Sequence, residues 1–123
     1  MSKSPIIDIG ANLTHPDLYP NIKKIICQMD NVNVTHAIII SSTLDDAKKA
    51  IAISDKYKGK FYTTVGFHPH NAKEFNHSHI QSMKDLLQNK FVRSIGECGL
   101  DYYRLYSCLL YTYPSPRDLA QSR

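Results

Sequence analysis

The sequence lacks the features of a membrane-spanning or exported protein. A transmembrane helix needs roughly 20 apolar residues in a row, whereas the longest aliphatic stretches are as short as residues 37–40. Near the amino terminus only Ile6 and Ile7 precede Asp8, so the apolar region of a signal peptide is missing. These absences predict a protein without membrane association that is located in the cytoplasm or the nucleus.

Cysteine is also scarce, and its pattern excludes two kinds of scaffold. Cys27, Cys98 and Cys108 are odd in number and far apart, without a Cys-x-x-Cys pair. They indicate neither a disulfide framework nor a structural zinc site, and we expect reduced thiols. Fifteen Lys and Arg against eleven Asp and Glu give a net charge of +4. This mild excess is compatible with an anionic partner but does not require one.

The length of 123 residues suits one domain. Along it, short apolar runs typical of strands alternate with segments in which apolar residues have helical spacing. Short apolar runs predict four strands, at residues 5–10, 36–41, 61–67 and 91–96. Helical spacing of apolar residues separates them, in segments 21–29, 44–58 and 80–87. Successive strands begin roughly 25 to 30 residues apart, which is the length of a right-handed crossover unit, so the strands should be parallel.

This order of elements fits two α/β folds. It occurs in doubly wound open sheets and in (β/α) barrels, and four such units amount to roughly half of a 250-residue barrel. Periodicity alone leaves both folds open. In either one the residues after the carboxyl ends of the strands converge on one edge, where active sites are built. Polar side chains follow all four predicted strands: Asn12 and His15, residues 41–43, His68 and His70, and Glu97 and Asp101.

Three of these side chains have the chemistry of a metal or phosphate site. His68 and His70 directly follow the third strand, where two imidazoles can act as metal ligands or as phosphate donors. The alternative is that both rings only cap a polar loop. Glu97 lies between small residues at the end of an apolar strand, where a divalent cation would offset its desolvation. Its alternatives are a helix cap or an ion pair with a nearby arginine.

Two further polar residues have less specific patterns. Asn12 is a weak metal ligand, and we expect its amide to hydrogen-bond to a neighbouring loop or to a substrate. Asp101 has the character of an N-cap residue for a following helix as much as that of a site residue.

Three separate motifs resemble those of the TatD family of metal-dependent deoxyribonucleases. They are Asp-Ile-Gly-Ala-Asn-Leu-Thr at residues 8–14, Thr-Val-Gly-Phe-His-Pro-His at 64–70 and Ser-Ile-Gly-Glu-Cys-Gly-Leu-Asp-Tyr-Tyr-Arg at 94–104. All three occur in the family's order and at predicted strand ends. The resemblance implies that residues 1–104 form the amino-terminal half of a TIM-like (β/α) barrel of the metal-dependent hydrolase type.

The resemblance also implies an activity, namely hydrolysis of DNA phosphodiester bonds by a water that a divalent metal such as Mg²⁺ activates. Glu97 corresponds to a metal ligand of the family. His68 and His70 are expected to contact the substrate phosphate, with Asn12 as a further substrate-binding residue. Residues 10 and 12 lack the His-x-His pair of related members, and the family's later metal ligands would lie beyond residue 104.

Residues 105–123 show neither helical nor alternating periodicity and resemble the translation of a sequencing adapter. We expect this segment to be non-native or disordered. Because the later ligands are missing, an alternative function is that of a non-enzymatic, truncated half-barrel that binds phosphate-bearing ligands weakly. A third alternative, a small flavodoxin-like binding domain, has no glycine-rich phosphate loop to support it.

Overall fold

A computed structural model describes residues 4–104 and 106, and it contains the predicted alternation of strands and helices. The strands are β1 (Ile6–Ala11), β2 (Val34–Ile39), β3 (Phe61–Val65) and β4 (Val92–Ile95). The α-helices are α1 (Ile22–Asn31), α2 (Leu44–Lys56) and α3 (Ser78–Leu87), and short 3-10 turns cover Tyr19–Asn21 and Pro69–Glu74. The prediction for residues 105–123 lies outside the described residues, apart from Tyr106.

The four strands form one parallel sheet in the order β1-β2-β3-β4. This order distinguishes between the two folds that periodicity left open. A doubly wound sheet reverses its strand order at a switch point, whereas a barrel adds each new strand to the same side of the previous one. Successive crossovers of one hand then leave all helices on one face. The predicted half of a (β/α) barrel is confirmed.

The core lies between the sheet and its three helices. Ala37 and Ile39 of β2 and Phe61 of β3 pack against apolar side chains of α1 and α2. At the other end of β3, Val65 packs with Val92 against α2 and α3. Full burial of a large apolar side chain stabilises a fold by about 1.5–3 kcal/mol, so these contacts are the main force holding the helices in place.

The opposite face of the sheet has no helix over it in the described part of the chain. Ile38 and Thr64 lie on this face, beside a cavity at the carboxyl ends of the strands. The outer strand β1 leaves apolar side chains accessible on this face, since Ile7 is 57% and Ile9 74% exposed. In a closed barrel this face is the filled interior, which explains why the sequence places isoleucines there. Among the described helices, none has the length and apolar character needed to cross a bilayer.

Candidate active site

A cavity of about 720 Å³ lies where the carboxyl ends of the four strands meet. Its lining consists of Ile9, Gly10, Asn12, Ile38, Ile40, Ser42, Thr64, His68, His70, Asn71, Ser94, Gly96 and Glu97. The four residues that the sequence analysis selected as site residues, Asn12, His68, His70 and Glu97, are all in this lining. His15 is not, since it is exposed beside Asp17 at the surface. The topology therefore brings together side chains that are up to 85 residues apart in the sequence.

Buried hydroxyl groups fix the strand ends beneath the cavity. Ser41 is fully buried, its hydroxyl donates to the carbonyl of Thr64 at 2.8 Å, and its N–H donates to the Thr64 hydroxyl at 3.1 Å. The neighbouring Thr63 hydroxyl donates to the carbonyl of Ile39 at 2.9 Å. These bonds tie the end of β2 to the end of β3 at positions where the regular ladder stops, and each satisfies a polar group that is costly to bury alone.

The carbonyls of residues 41 and 42 hold the two loops that carry the site. The N–H of His68 donates to the carbonyl of Ser42 at 2.9 Å, and the N–H of Glu97 donates to the carbonyl of Ser41 at 3.3 Å. One short segment after β2 thus positions both candidate residues. The sequence predicts residues 41–43 at the active edge but indicates no function for them, because backbone carbonyls leave no signal in side-chain chemistry.

A close approach of two backbones sets the position of Glu97. The N–H of Gly96 donates to the carbonyl of Val65 at 2.9 Å, which extends the β3–β4 pairing by one step. A Cβ atom on Gly66 would lie 2.4 Å from the carbonyl carbon of Gly96 and 2.6 Å from the carbonyl oxygen of Glu97. Only glycine fits at position 66, and the contact presses the backbone of Glu97 against the end of β3.

The side chains of His68 and Glu97 lie next to each other in the cavity lining. Nε2 of His68 lies 3.4 Å from Oε1 of Glu97, and the two side chains are 26% and 45% exposed. On the other side of the ring, Nδ1 accepts a hydrogen bond from the N–H of His70 at 3.1 Å. An acceptor nitrogen carries a lone pair, so the ring proton of His68 is on Nε2 and points toward the Glu97 carboxylate.

A second histidine–carboxylate pair lies beside the first. Nε2 of His70 is 2.8 Å from Oδ2 of Asp101, and each of these side chains is 25% exposed. Oδ1 of Asp101 accepts the N–H groups of Tyr103 and Arg104, both at 2.9 Å. The Arg104 N–H and then the His70 ring lower the pKa of Asp101 from 3.8 to about 2. The carboxylate is therefore ionised at neutral pH, and Nε2 of His70 is the donor.

The two pairs touch each other through their rings, since the centroids of His68 and His70 are 4.3 Å apart in an edge-on arrangement. The sequence pattern of Asp101 is compatible with a cap and with a site residue. Its bonds to residues 103 and 104 are those of a cap, although no helix follows it among the described residues, and its bond to His70 joins it to the site. Because His70 and Asp101 are 31 residues apart in the sequence, no local pattern indicates that they pair.

One side chain of the site has the donor chemistry of a metal ligand. The carboxylate of Glu97 offers hard oxygen atoms of the kind that Mg²⁺ prefers. Within residues 4–104 and 106, however, no group of three or more His, Cys, Asp or Glu side chains is arranged to hold a metal ion. The metal-ligand role of Glu97 stays a prediction, and the described side chains do not complete a coordination sphere.

Comparison with known proteins places these features in a family context. The profile of the family described as TatD related DNase matches residues 7–112. The 3'-5' ssDNA/RNA exonuclease TatD of Edwardsiella piscicida is 28% identical over 102 residues, which cover 83% of this chain and 39% of that protein. The protein of the same name from Pantoea ananatis is 30% identical over 99 residues, covering 80% of this chain and 38% of its own.

Two solved structures share the fold. A TatD family hydrolase from Entamoeba histolytica superposes with a TM-score of 0.82 and 30% identity, covering 99% of this chain and 46% of that one. An uncharacterized amidohydrolase from Saccharomyces cerevisiae gives a TM-score of 0.70 and 25% identity, covering 87% of this chain and 40% of that one. The chain thus spans less than half the length of each of these four proteins.

Proposed function

This chain belongs to the TatD related DNase family, and we propose on that premise that the whole protein is a metal-dependent nuclease that hydrolyses the phosphodiester bonds of single-stranded DNA. The observation that carries the proposal is the shared cavity, because it brings Asn12, His68, His70 and Glu97 to the edge of the sheet where barrel enzymes have their active sites. The names of the bacterial relatives support a single-stranded substrate. A cytoplasmic or nuclear location stays a prediction.

Glu97 is the proposed ligand of a divalent cation, and we propose Mg²⁺. Such a cation supplies an activated water and neutralises charge on the phosphate. Glu97 is held from two sides, by the carbonyl of Ser41 and by the close contact with Gly66, while 45% of its side chain remains accessible from the cavity. Because its backbone is held in place and its carboxylate is accessible from the cavity, Glu97 can bind an ion without a large rearrangement. Because the described side chains form no three-donor group, water or residues outside the described range would supply the remaining ligands.

His68 is proposed to donate a hydrogen bond to a non-bridging phosphate oxygen. Metal coordination through Nε2 would require a lone pair on that atom, and the ring proton would then have to move to Nδ1. Because Nδ1 accepts the N–H of His70, this change would break a bond that shapes the loop. Donation of Nε2–H requires no such change. At 3.4 Å its contact with Glu97 is long, so an incoming phosphate can compete for the proton.

Asn12 and His70 complete the proposed substrate surface. Asn12 lies in the cavity lining after β1, on the far side of the cavity from the β4 loop, and its side-chain amide can both donate and accept. His70 lies beside the proposed phosphate donor His68, and the edge-on contact between the two rings restricts the orientation of His68.

A second candidate function is that of a non-enzymatic half-barrel. It is favoured by the lack of a three-donor metal group among the described side chains and by the accessible isoleucines of β1 and β4. Such a protein would bind phosphate-bearing ligands weakly and cleave nothing. It differs from the first proposal in a single measurable property, metal-dependent turnover.

Cleavage of a labelled single-stranded oligodeoxynucleotide distinguishes the two. The 123-residue chain and a form that spans the full length of the relatives are assayed side by side, with Mg²⁺ and with EDTA. The nuclease proposal expects Mg²⁺-dependent cleavage by the longer form and none by the 123-residue chain. If the longer form, folded and freed of contaminating nuclease, leaves the oligonucleotide intact, the non-enzymatic function is favoured.

A further inference from the structure

The contact between His70 and Asp101 joins the two loops that carry the site. His70 follows β3, and Asp101 follows β4, so the pair bridges loops that are 31 residues apart in the sequence. Both side chains are three-quarters buried. A contrasting pair, His15 and Asp17, has the same two side-chain types at the surface, where the distance is 3.5 Å and the side chains are 49% and 87% exposed.

The Asp101 carboxylate has little freedom to rotate. Its Oδ1 accepts two backbone N–H groups, and this arrangement leaves Oδ2 directed at Nε2 of His70. Because the carboxylate is itself fixed to the backbone, it can fix the plane of the ring that it contacts. An acceptor at Oδ2 also determines which ring nitrogen carries a proton.

We propose that Asp101 is a positioning residue for His70, which it holds in one orientation with the proton on Nε2. The inference rests on the proposed function, in which His70 forms part of the substrate surface. Asp101 acts through the ring and does not touch the substrate. Because the His70 ring packs edge-on against that of His68, a fixed His70 also limits the movement of His68, the proposed phosphate donor.

The substitution Asp101→Asn tests the inference without removing the cap. The two backbone N–H groups require an oxygen at the Oδ1 position, so the amide nitrogen takes the place of Oδ2. An amide nitrogen is a donor and cannot accept from Nε2. The ring of His70 must then move its proton to Nδ1 or lose its fixed orientation, while the loop bonds of residues 103 and 104 remain.

Long-range proton–nitrogen NMR spectra of the ¹⁵N-labelled 123-residue chain report the protonation of each ring nitrogen. His70→Gln identifies the His70 signals, and Asp17→Asn is the matched control, since it breaks the surface pair. We expect a protonated Nε2 in the wild type and in Asp17→Asn, and a changed or averaged pattern in Asp101→Asn. An unprotonated Nε2 in the wild type, or an unchanged His70 spectrum in Asp101→Asn, would overturn the inference.

A binding cycle adds a functional measurement. Affinity for a labelled oligothymidylate is measured by fluorescence anisotropy in EDTA for Asp101→Asn, His70→Ala and the double variant. Each single variant removes the fixed His70 ring that restricts His68, so we expect about tenfold weaker binding, or about 1.4 kcal/mol, for each. The double variant should also bind about tenfold more weakly, because the two residues act as one unit. Additive losses would overturn the inference. If no form binds the oligonucleotide, the result counts against the proposed function alone, and the NMR spectra decide whether Asp101 positions His70.

Discussion

Replacing Gly66 by alanine tests whether the contact between the ends of β3 and β4 fixes the position of Glu97. The added Cβ would lie 2.4 Å from the carbonyl carbon of Gly96, whereas ordinary van der Waals contact begins near 3.4 Å. The β4 loop must therefore move by about 1 Å, a shift of the size that costs about 1–3 kcal/mol in an overpacked core. The hydrogen bond from Gly96 to Val65, at 2.9 Å, lies directly in the path of this shift.

Gly10→Ala is the matched control, because a Cβ at that position has no neighbour within 4 Å. Urea unfolding of the 123-residue chain should show a loss of about 1–3 kcal/mol for Gly66→Ala and a change within about 0.5 kcal/mol for Gly10→Ala. Equal unfolding midpoints for the two variants would refute the argument that the close backbone contact positions Glu97.

Three further predictions concern the surroundings of Glu97. In a form that spans the full length of the relatives (the full family domain), His68→Ala and His70→Ala should each weaken oligonucleotide binding and slow turnover. The affinity for Mg²⁺, measured by calorimetry, should stay nearly intact. Loss of Mg²⁺ binding in either variant would make that histidine a metal ligand. Because the pKa of Asp101 is lowered from 3.8 to about 2, the folded state favours the ionised carboxylate, and its stabilisation is complete above the unfolded pKa. The stability advantage over Asp101→Asn should therefore shrink as the pH falls from about 5 toward 2, and a constant difference across that window would contradict the assigned hydrogen bonds. Ser41→Ala removes a buried donor to the carbonyl of Thr64 and should cost about 1–3 kcal/mol in urea unfolding; a loss below about 0.5 kcal/mol would show that water replaces the hydroxyl.

Local sequence patterns predicted the elements of the fold because each element is defined by its own residues. Isoleucines at helical spacing mark α1, and β-branched runs mark β2 and β3. The order of strands in the sheet has no such local signal, since a doubly wound sheet and a barrel bury the same kinds of strands and helices. The resemblance to the TatD family supplied this choice, and the strand order confirms it.

The residues of the candidate site also form two groups: those that local sequence patterns indicate, and those whose contribution depends on contacts in the folded chain. His68 and Glu97 could be selected from the sequence because each directly follows a strand, and parallel strands end at one edge. The contributions of the residues that position them could not be predicted from the sequence. Gly66 matters only because the backbone of β4 approaches it, and Ser41 contributes a carbonyl that every residue has. Asp101 has the sequence pattern of a cap, and only the folded chain brings His70 within hydrogen-bonding distance of it.

Metal-dependent cleavage by Glu97→Gln in the full family domain tests the central claim most directly. A neutral amide is a poor ligand for a hard cation, so we expect turnover of a single-stranded oligodeoxynucleotide in Mg²⁺ to fall at least about a hundredfold while the melting temperature stays unchanged. Glu74→Gln, the same chemical change at an exposed position away from the cavity, should keep wild-type turnover. Wild-type, Mg²⁺-dependent turnover by Glu97→Gln would contradict the assignment of Glu97 as the metal ligand.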